Sequence, residues 1–454
     1  MPHSCHGATR YRAQPRVGKG REPVSALLGL VNAGCALAER AGLGADALEP
    51  ERLIAAARAS ARLEDFGTED FAEPLAALLD ALNGEAGLSP FGRFAARWDA
   101  KRFLINLLIL RQRERADPGI GEQTIAPPIF VTGVPRSGTT FLHALLAEDT
   151  ANLVPRVWQT IYPDPRHPAA GRGAGPARVD RQIAFFRRLV PELDHLHPLD
   201  ANRPQECTEI TAHVFRSLRF DSTHDVPSYR RWLAASGHID AYRFHRRFLG
   251  HLQRQTGPGR WVLKSPDHVF ALDALRRVYP EARLVFVHRD PLRVLPSVAR
   301  LTQVLRTPFA RSVDPLHVGR QISLDWASGV ARIIEASRTW PASQLFHVQY
   351  RALTADPLGT VAALYRHFDL DLAPAAAERM ADAIARAPRG GYGVNCYRFA
   401  DFGLDPQTER ARYRDYMATF GIEPELAEAD DARPASTRPG GAPVASDAQI
   451  SASR

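Results

Sequence analysis

The chain has 454 residues, a formal net charge of +8 and the charged and apolar fractions of an ordinary globular protein. The positive charge points to an anionic partner. Basic residues are scattered among acidic ones without a basic run or a nucleic-acid-binding signature, which argues against DNA or RNA as that partner. No apolar run reaches 18 residues, so no membrane-spanning helix is expected.

Cysteine is sparse in this chain. Cys5, Cys35, Cys207 and Cys396 are far apart and form no C-x-x-C pair. This spacing argues against a zinc site and against a dense disulfide framework. It favours a reducing compartment, so we expect a cytoplasmic protein.

Lysine is rarer still. Lys19, Lys101 and Lys264 are the only lysines among 58 basic residues. Because arginine fills the other cationic roles, a retained lysine marks a position that calls for a compact, titratable charge. Lys264 is the strongest candidate, since it follows an apolar segment and precedes a Ser-Pro pair.

Four regions are predicted along the chain. Residues 1–22 and 427–454 lack a periodic apolar pattern and are expected to be disordered tails. Residues 23–120 have a helical pattern, with Ser89-Pro90 as the start signal of one long helix. Residues 121–426 alternate short apolar strands with helices, which predicts an α/β domain with a parallel sheet. The strands are predicted at 128–132, 261–263, 284–287 and 345–348, and helices near Gly138, Asp267, Pro291 and Asp356.

The first predicted strand runs into Gly133-Val-Pro-Arg-Ser-Gly-Thr-Thr140, which has the glycine spacing of a phosphate-binding loop. Backbone N–H groups and the start of the following helix favour an anion there. A nucleoside-triphosphate loop needs a lysine after its second glycine. This chain has Thr139 at that position and Arg136 inside the loop, so a phosphate or phosphosulfate without a γ-phosphate is the better ligand.

The strand predicted at 284–287 also leads into charged residues. Arg289 follows it, and Pro291 begins the next helix. Arg289 and Ser297 are eight residues apart, close enough for a guanidinium and a hydroxyl to bind one phosphate. A salt-bridged strand end with a surface serine is the alternative that these residues leave open.

Together these two segments resemble the sulfotransferases that use 3′-phosphoadenosine 5′-phosphosulfate as donor. The resemblance extends from about Pro128 to Tyr416 and is greatest to the bacterial branch with a helical N-terminal extension. It implies a P-loop-like parallel sheet flanked by helices, and metal-free transfer of a sulfuryl group to a small-molecule, lipid or carbohydrate hydroxyl. It implies donor binding by Gly133, Pro135, Arg136, Ser137, Gly138, Thr139 and Thr140 at the phosphosulfate, and by Arg289 and Ser297 at the 3′-phosphate.

The resemblance also implies catalytic residues. A lysine one strand–helix unit before the phosphate-binding arginine corresponds to Lys264. With Arg136, it would stabilise the charge that grows on the leaving 5′-phosphate. The general base for the acceptor hydroxyl is expected among His197, Glu206 and His268, which the residues alone do not rank.

Two other functions stay open at this stage: a P-loop nucleotide kinase or hydrolase, and a non-catalytic nucleotide-binding protein. The nucleotide kinase or hydrolase is disfavoured because Thr139 replaces the triphosphate lysine and no acidic residue that would bind magnesium is recognised. The triplets His288-Arg-Asp and Asp401-Phe-Gly mimic those of protein kinases. That class is excluded because Leu295 replaces the required asparagine and the two triplets are over a hundred residues apart.

Overall fold

The computed structural model describes residues 25–42, 47–196, 198–386 and 398–425. The predicted tails at 1–22 and 427–454 lie outside these residues, as does His197. In chain order the helices and strands are α1 (Ala26–Arg40), α2 (Pro50–Ala61), α3 (Ala72–Gly84), α4 (Pro90–Ala116), β1 (Ile129–Gly133), α5 (Thr139–Leu146), β2 (Asn152–Leu153), α6 (Val157–Ile161), α7 (Pro176–Leu189), α8 (Leu193–Leu196), α9 (Cys207–Thr211), α10 (Arg219–Thr223), α11 (Pro227–Ser236), α12 (Ile239–Thr256), β3 (Arg260–Lys264), α13 (Leu272–Val278), β4 (Arg283–His288), α14 (Pro291–Arg306), α15 (Pro315–Thr339), β5 (Leu345–Gln349), α16 (Tyr350–Ala355), α17 (Pro357–His367), α18 (Pro374–Arg386), α19 (Pro406–Arg412) and α20 (Arg414–Phe420). Short 3-10 helices lie at Pro118–Ile120, Pro168–Ala170, Ala212–Val214, Pro266–Phe270, Ala342–Gln344 and Phe399–Phe402.

The strands form one parallel sheet in the order β2-β3-β1-β4-β5. The fully buried β1 lies between β3 and β4, with Val131 opposite Lys264 and Gly133 opposite Val287. Buried side chains cover both faces of the sheet, as parallel sheets require. The four predicted strands are present within one residue of their predicted ends, whereas the two-residue β2 is too short to leave a pattern. The predicted α/β fold with a parallel sheet flanked by helices is confirmed.

The predicted helix starts are largely confirmed. Asp290 caps α14, accepting the N–H of Leu292 at 2.9 Å, and Pro291 is the first helical residue. The helix predicted near Asp267 differs, because the chain first forms the 3-10 turn Pro266–Phe270 and α13 begins only at Leu272. Within the described ranges, no helix combines the length and the apolar character needed to cross a bilayer.

The N-terminal helices pack on the α/β part through a shared core. Ser89 caps α4 by accepting the N–H of Gly92 at 2.9 Å, as its Ser-Pro signal predicts. The N–H of Ser89 also donates to the Phe309 carbonyl at 2.8 Å, just after α14. Phe103 of α4 lies edge-on to Phe215 with ring centroids 6.0 Å apart, inside a continuous hydrophobic cluster. The boundary at residue 120 remains a prediction.

Four charged residues, two of them buried and two partly buried, reinforce this contact. Arg102 of α4 binds Asp99 at 2.6 Å and Glu209 of α9 at 2.7 Å. Arg219 of α10 binds the same two carboxylates, each at 2.6 Å. Although burial raises the pKa of Asp99, the guanidiniums of Arg219 and Arg102 lower it to about 2, so the carboxylate stays charged. We call these residues the charged quartet.

We expect Gly92→Ala to destabilise the contact between α4 and the segment after α14. A Cβ atom at this position would lie 1.9 Å from the Phe309 carbonyl oxygen, so the helix or that segment must shift. Overpacking of this kind costs about 1–3 kcal/mol, which thermal unfolding would register as a lower Tm. Gly29→Ala in α1 is the control, because nothing lies within 4 Å of its Cβ position. Equal melting temperatures for the two variants would contradict the prediction.

Candidate active site

The candidate site is a cleft at the carboxyl edge of the sheet. β1 ends at Gly133, β3 at Lys264 and β4 at His288, and parallel strands bring these ends to one edge. The cleft there has a volume of about 2520 Å³. Nine of the predicted site residues line it: Pro135, Arg136, Gly138, Thr139, Thr140, Glu206, Lys264, Arg289 and Ser297.

Two predicted donor-binding residues shape the loop without lining the cleft. Gly133 has φ +126°, and a Cβ atom there would lie 2.4 Å from the Val287 carbonyl oxygen, so glycine lets β1 approach β4. Ser137 is buried, and its hydroxyl donates to the Val134 carbonyl at 2.7 Å. These contacts hold the loop's turn, so Gly133 and Ser137 determine the course of the loop's backbone.

Arg136 links the loop to two other parts of the cleft. Its φ of +61° places it in the left-handed region, which is unusual for a residue with a side chain. Its Nε donates to Ser297 Oγ at 3.2 Å and its Nη1 donates to the Leu196 carbonyl at 2.6 Å. The two segments predicted to bind phosphates therefore touch each other, beside the start of α5, where the first helical N–H groups favour an anion.

Arg289 is packed between protein groups. Its Nη1 donates to the Arg136 carbonyl at 2.7 Å, and its guanidinium lies 3.8 Å from the centre of the Tyr350 ring. It also binds both carboxylate oxygens of Glu425, each at 3.0 Å, while the Glu425 N–H donates to Asp290 at 2.7 Å. The arginine that is predicted to bind the 3′-phosphate is thus bound to the carboxylate of Glu425.

Sequence reasoning missed Tyr350 and Glu425. Tyr350 had a usable signal, since it directly follows the fifth strand of the sheet. Glu425 had none, because it lies next to the pattern-free C-terminal region.

Lys264 is the last residue of β3 and its side chain is only 3% exposed. Its ammonium forms an ion pair with Glu206, the residue just before α9. Nearby His143 bonds the Val262 carbonyl through Nε2 at 3.1 Å. Burial, and then the charge of Lys264, lower the pKa of His143 to about 3, so this histidine stays neutral. Lys264 and Glu206 are therefore the charged pair at this end of the cleft.

Of the two histidines predicted as general bases, the structure describes only His268. His197 lies outside the described residues. His268 is buried away from the cleft, with Nδ1 bonded to the Tyr242 hydroxyl and its ring edge-on to Phe130 at 4.9 Å. Burial lowers the pKa of His268 well below its usual value. The turn after β3 thus directs His268 into the core and not into the cleft.

Asp267, the residue before His268, lines the cleft and was not predicted. Burial and the carboxylates of Glu206 and Asp221 raise its pKa, Arg230 and Lys264 oppose this, and the result is about 7. The segment Lys264-Ser-Pro-Asp267 contained the signal, since it places a second ionisable residue three positions after the lysine.

The cleft therefore combines a helix start and three cations at one end with two carboxyl groups beside them. Such a site suits a ligand with several negative charges and a second ligand that gives up a proton. Over the part of the chain that the structure describes, no group of three or more His, Cys, Asp or Glu residues could hold a metal ion.

Comparisons with curated proteins match this chain to omega-hydroxy-beta-dihydromenaquinone-9 sulfotransferase Stf3 of Mycobacterium tuberculosis and of Mycobacterium bovis. Each is 26% identical to it over 271 residues, or 55% of this chain. The match spans 65% of those relatives' own length, slightly less than two thirds.

Solved structures with the same fold include two mycobacterial enzymes. Sulfotransferase STF1 from Mycobacterium tuberculosis is 32% identical with a TM-score of 0.72, covering 82% of this chain and 99% of its own. Sulfotransferase STF9 from Mycobacterium avium is 27% identical with a TM-score of 0.75, covering 82% and 97%. The sulfotransferase family model matches residues 127–374, more than half of the chain and all of the cleft's strand ends. The chain therefore belongs to the sulfotransferase family.

Proposed function

We propose that this protein transfers the sulfuryl group of 3′-phosphoadenosine 5′-phosphosulfate to a hydroxyl group of an acceptor. The observation that carries the proposal is the meeting of the loop, Lys264 and Arg289 in one cleft. The positive charges of the loop, Lys264 and Arg289 match a donor with phosphate at one end and phosphosulfate at the other. The family model covers the loop and both residues. Metal-free transfer and a cytoplasmic location, both expected from the sequence, belong to the same proposal.

In the proposed reaction, the acceptor oxygen attacks sulfur in line with the bond to the 5′-phosphate. A new sulfur–oxygen bond forms as the old one breaks, and its electron pair leaves with the phosphate oxygen. Lys264 and Arg136 stabilise that charge, assisted by the N–H groups at the start of α5. The acceptor proton passes to a carboxylate in the cleft.

We further propose that the acceptor is a lipid-like alcohol. Ligand pockets usually measure about 300–1,000 Å³, so a cleft of about 2520 Å³ leaves room for a large second ligand. Apolar residues of α14 (Val298, Leu301 and Leu305) line part of it. The curated relatives are named for a hydroxylated menaquinone. Labelled donor offered with long-chain alcohols, phenols and sugars tests the class, and transfer to sugars alone would overturn it.

The donor assignment predicts how nucleotides bind. Adenosine 3′,5′-bisphosphate should bind by calorimetry without metal, whereas ATP with magnesium should bind poorly because Thr139 replaces the triphosphate lysine. Charge-assisted hydrogen bonds are worth roughly 1.5–3 kcal/mol, so Arg289→Ala should weaken bisphosphate binding about ten- to a hundredfold. Ser297→Ala should weaken it less. Unchanged affinity in Arg289→Ala would remove this residue from the 3′-phosphate site.

Lys264→Ala should lower turnover by about two to three orders of magnitude, the scale for losing one electrostatic stabiliser of a transition state. Bisphosphate affinity should change much less, since the charge acts mainly on the leaving oxygen. Lys264→Arg should rescue only in part, because a planar guanidinium cannot replace a compact ammonium. Lys101→Ala, in the half-exposed middle of α4, is the control. Near-normal turnover of Lys264→Ala at saturating donor would make this lysine structural.

The contact between Arg289 and Glu425 predicts a variant that binds the bisphosphate more tightly. A 3′-phosphate that binds Arg289 must displace this carboxylate, so Glu425→Gln should tighten bisphosphate binding by about three- to tenfold, or roughly 1 kcal/mol for a partly exposed ion pair. Glu423→Gln is the matched control, because Glu423 pairs with the more exposed Arg351. Calorimetry compares the two variants. Weaker binding by Glu425→Gln would show that Glu425 helps to position Arg289 for the donor.

A further inference from the structure

Glu206 is poorly suited to act as the general base. Its carboxylate is in contact with the ammonium of Lys264. Protonation of Glu206 during the reaction would remove the counter-ion of a lysine that is almost fully buried. The base is therefore better sought in another group of the same cleft.

Asp267 has the position that a base requires. It lies on the 3-10 turn Pro266–Phe270, which follows β3 directly, and it lines the cleft with Lys264. Its N–H donates to Ser265 Oγ at 3.2 Å, which fixes the turn. Its carboxylate forms neither a hydrogen bond nor an ion pair with any residue that the structure describes. The backbone of Asp267 is thus fixed, while its carboxyl group is bound to no other residue that the structure describes.

Charged and titratable groups face Asp267 from several elements. The negative ones are Glu206, just before α9, and Asp221 of α10. The positive ones are Arg230 of α11 and Lys264 of β3, and the phenol of Tyr242 on α12 also lies within electrostatic range.

These surroundings set the proton affinity of Asp267. Burial and the two carboxylates outweigh the two cations, so its pKa is about 7, where a carboxylate can accept a proton from an acceptor and release it afterwards.

We propose that Asp267 is the general base of the sulfuryl transfer and that Glu206 is a positioning residue that holds Lys264. This inference rests on the proposed function. In the step, the acceptor O–H proton moves to the Asp267 carboxylate while the acceptor oxygen forms its bond to sulfur. The bond from sulfur to the 5′-phosphate oxygen breaks, and the electron pair stays on that oxygen, stabilised by Lys264. Product release then frees Asp267 to give its proton to water.

The kinetic test uses two acceptors of different acidity, 1-dodecanol and 4-nitrophenol. Loss of a general base typically costs about 10²- to 10⁴-fold in rate, and we expect this loss for Asp267→Asn with the alcohol. With the phenol at a pH where it is already ionised, the loss should be much smaller, because no proton remains to be removed. A purely structural defect would slow both reactions alike and would overturn the proposal. Asp273→Asn, an exposed carboxylate on α13, is the matched control.

The dependence of the sulfation rate on pH tests which residue is the base. A base must be deprotonated to act, so alcohol sulfation by the wild-type enzyme should rise with pH through about 7 and level off above it. Asp267→Asn should lose this rise, and Glu206→Gln should keep it. Loss of the rise in Glu206→Gln, with its retention in Asp267→Asn, would make Glu206 the base.

An infrared titration needs no acceptor. As pH falls through about 7, the wild-type protein should gain the C=O band of a protonated carboxyl group that Asp267→Asn lacks. Absence of a titrating band that depends on Asp267 overturns the proposal even when neither acceptor is used. A wild-type protein that shows the band but neither binds the bisphosphate nor transfers sulfate would instead overturn the proposed function.

Discussion

The parallel pairing of β1 with both β3 and β4 is the constraint on which the site depends. Gly133 lies so close to the Val287 carbonyl that a Cβ atom could not fit, and Lys264 lies opposite Val131. These registers bring three strand ends to one edge, so the loop, the lysine and Arg289 face one cleft. A shift of one residue in either pairing would turn these side chains toward the opposite face of the sheet.

Both strand-end cations of the cleft are already bound to protein carboxylates. Lys264 contacts Glu206, and Arg289 contacts Glu425. An unpaired buried charge is costly, so these contacts stabilise the cleft when no polyanion is bound. In the proposed function, donor binding exchanges one anion for another, and donor affinity then depends on how strongly each carboxylate is held. Residues that never touch the donor would therefore change its affinity.

The N-terminal helices contribute to the cleft as well as to the core. Asp99 and Arg102 of α4 line the cleft and belong to the charged quartet. The same quartet holds Glu209, which lies three residues after Glu206 on the segment that supplies the partner of Lys264. This explains how a helical region without a recognisable motif supports the site: it anchors α9, and α9 positions the ion pair.

The sequence alone determined the features that depend on short stretches of chain. Apolar runs located the four longer strands, and glycine spacing located the loop. The distance between Arg289 and Ser297 predicted a phosphate site, and each of these signals is local. Only the tertiary structure separated Asp267 from His268, adjacent residues that a single turn directs to the cleft and to the core. It alone revealed Glu425 on Arg289, because burial and charge pairing are set by neighbours that are distant along the chain.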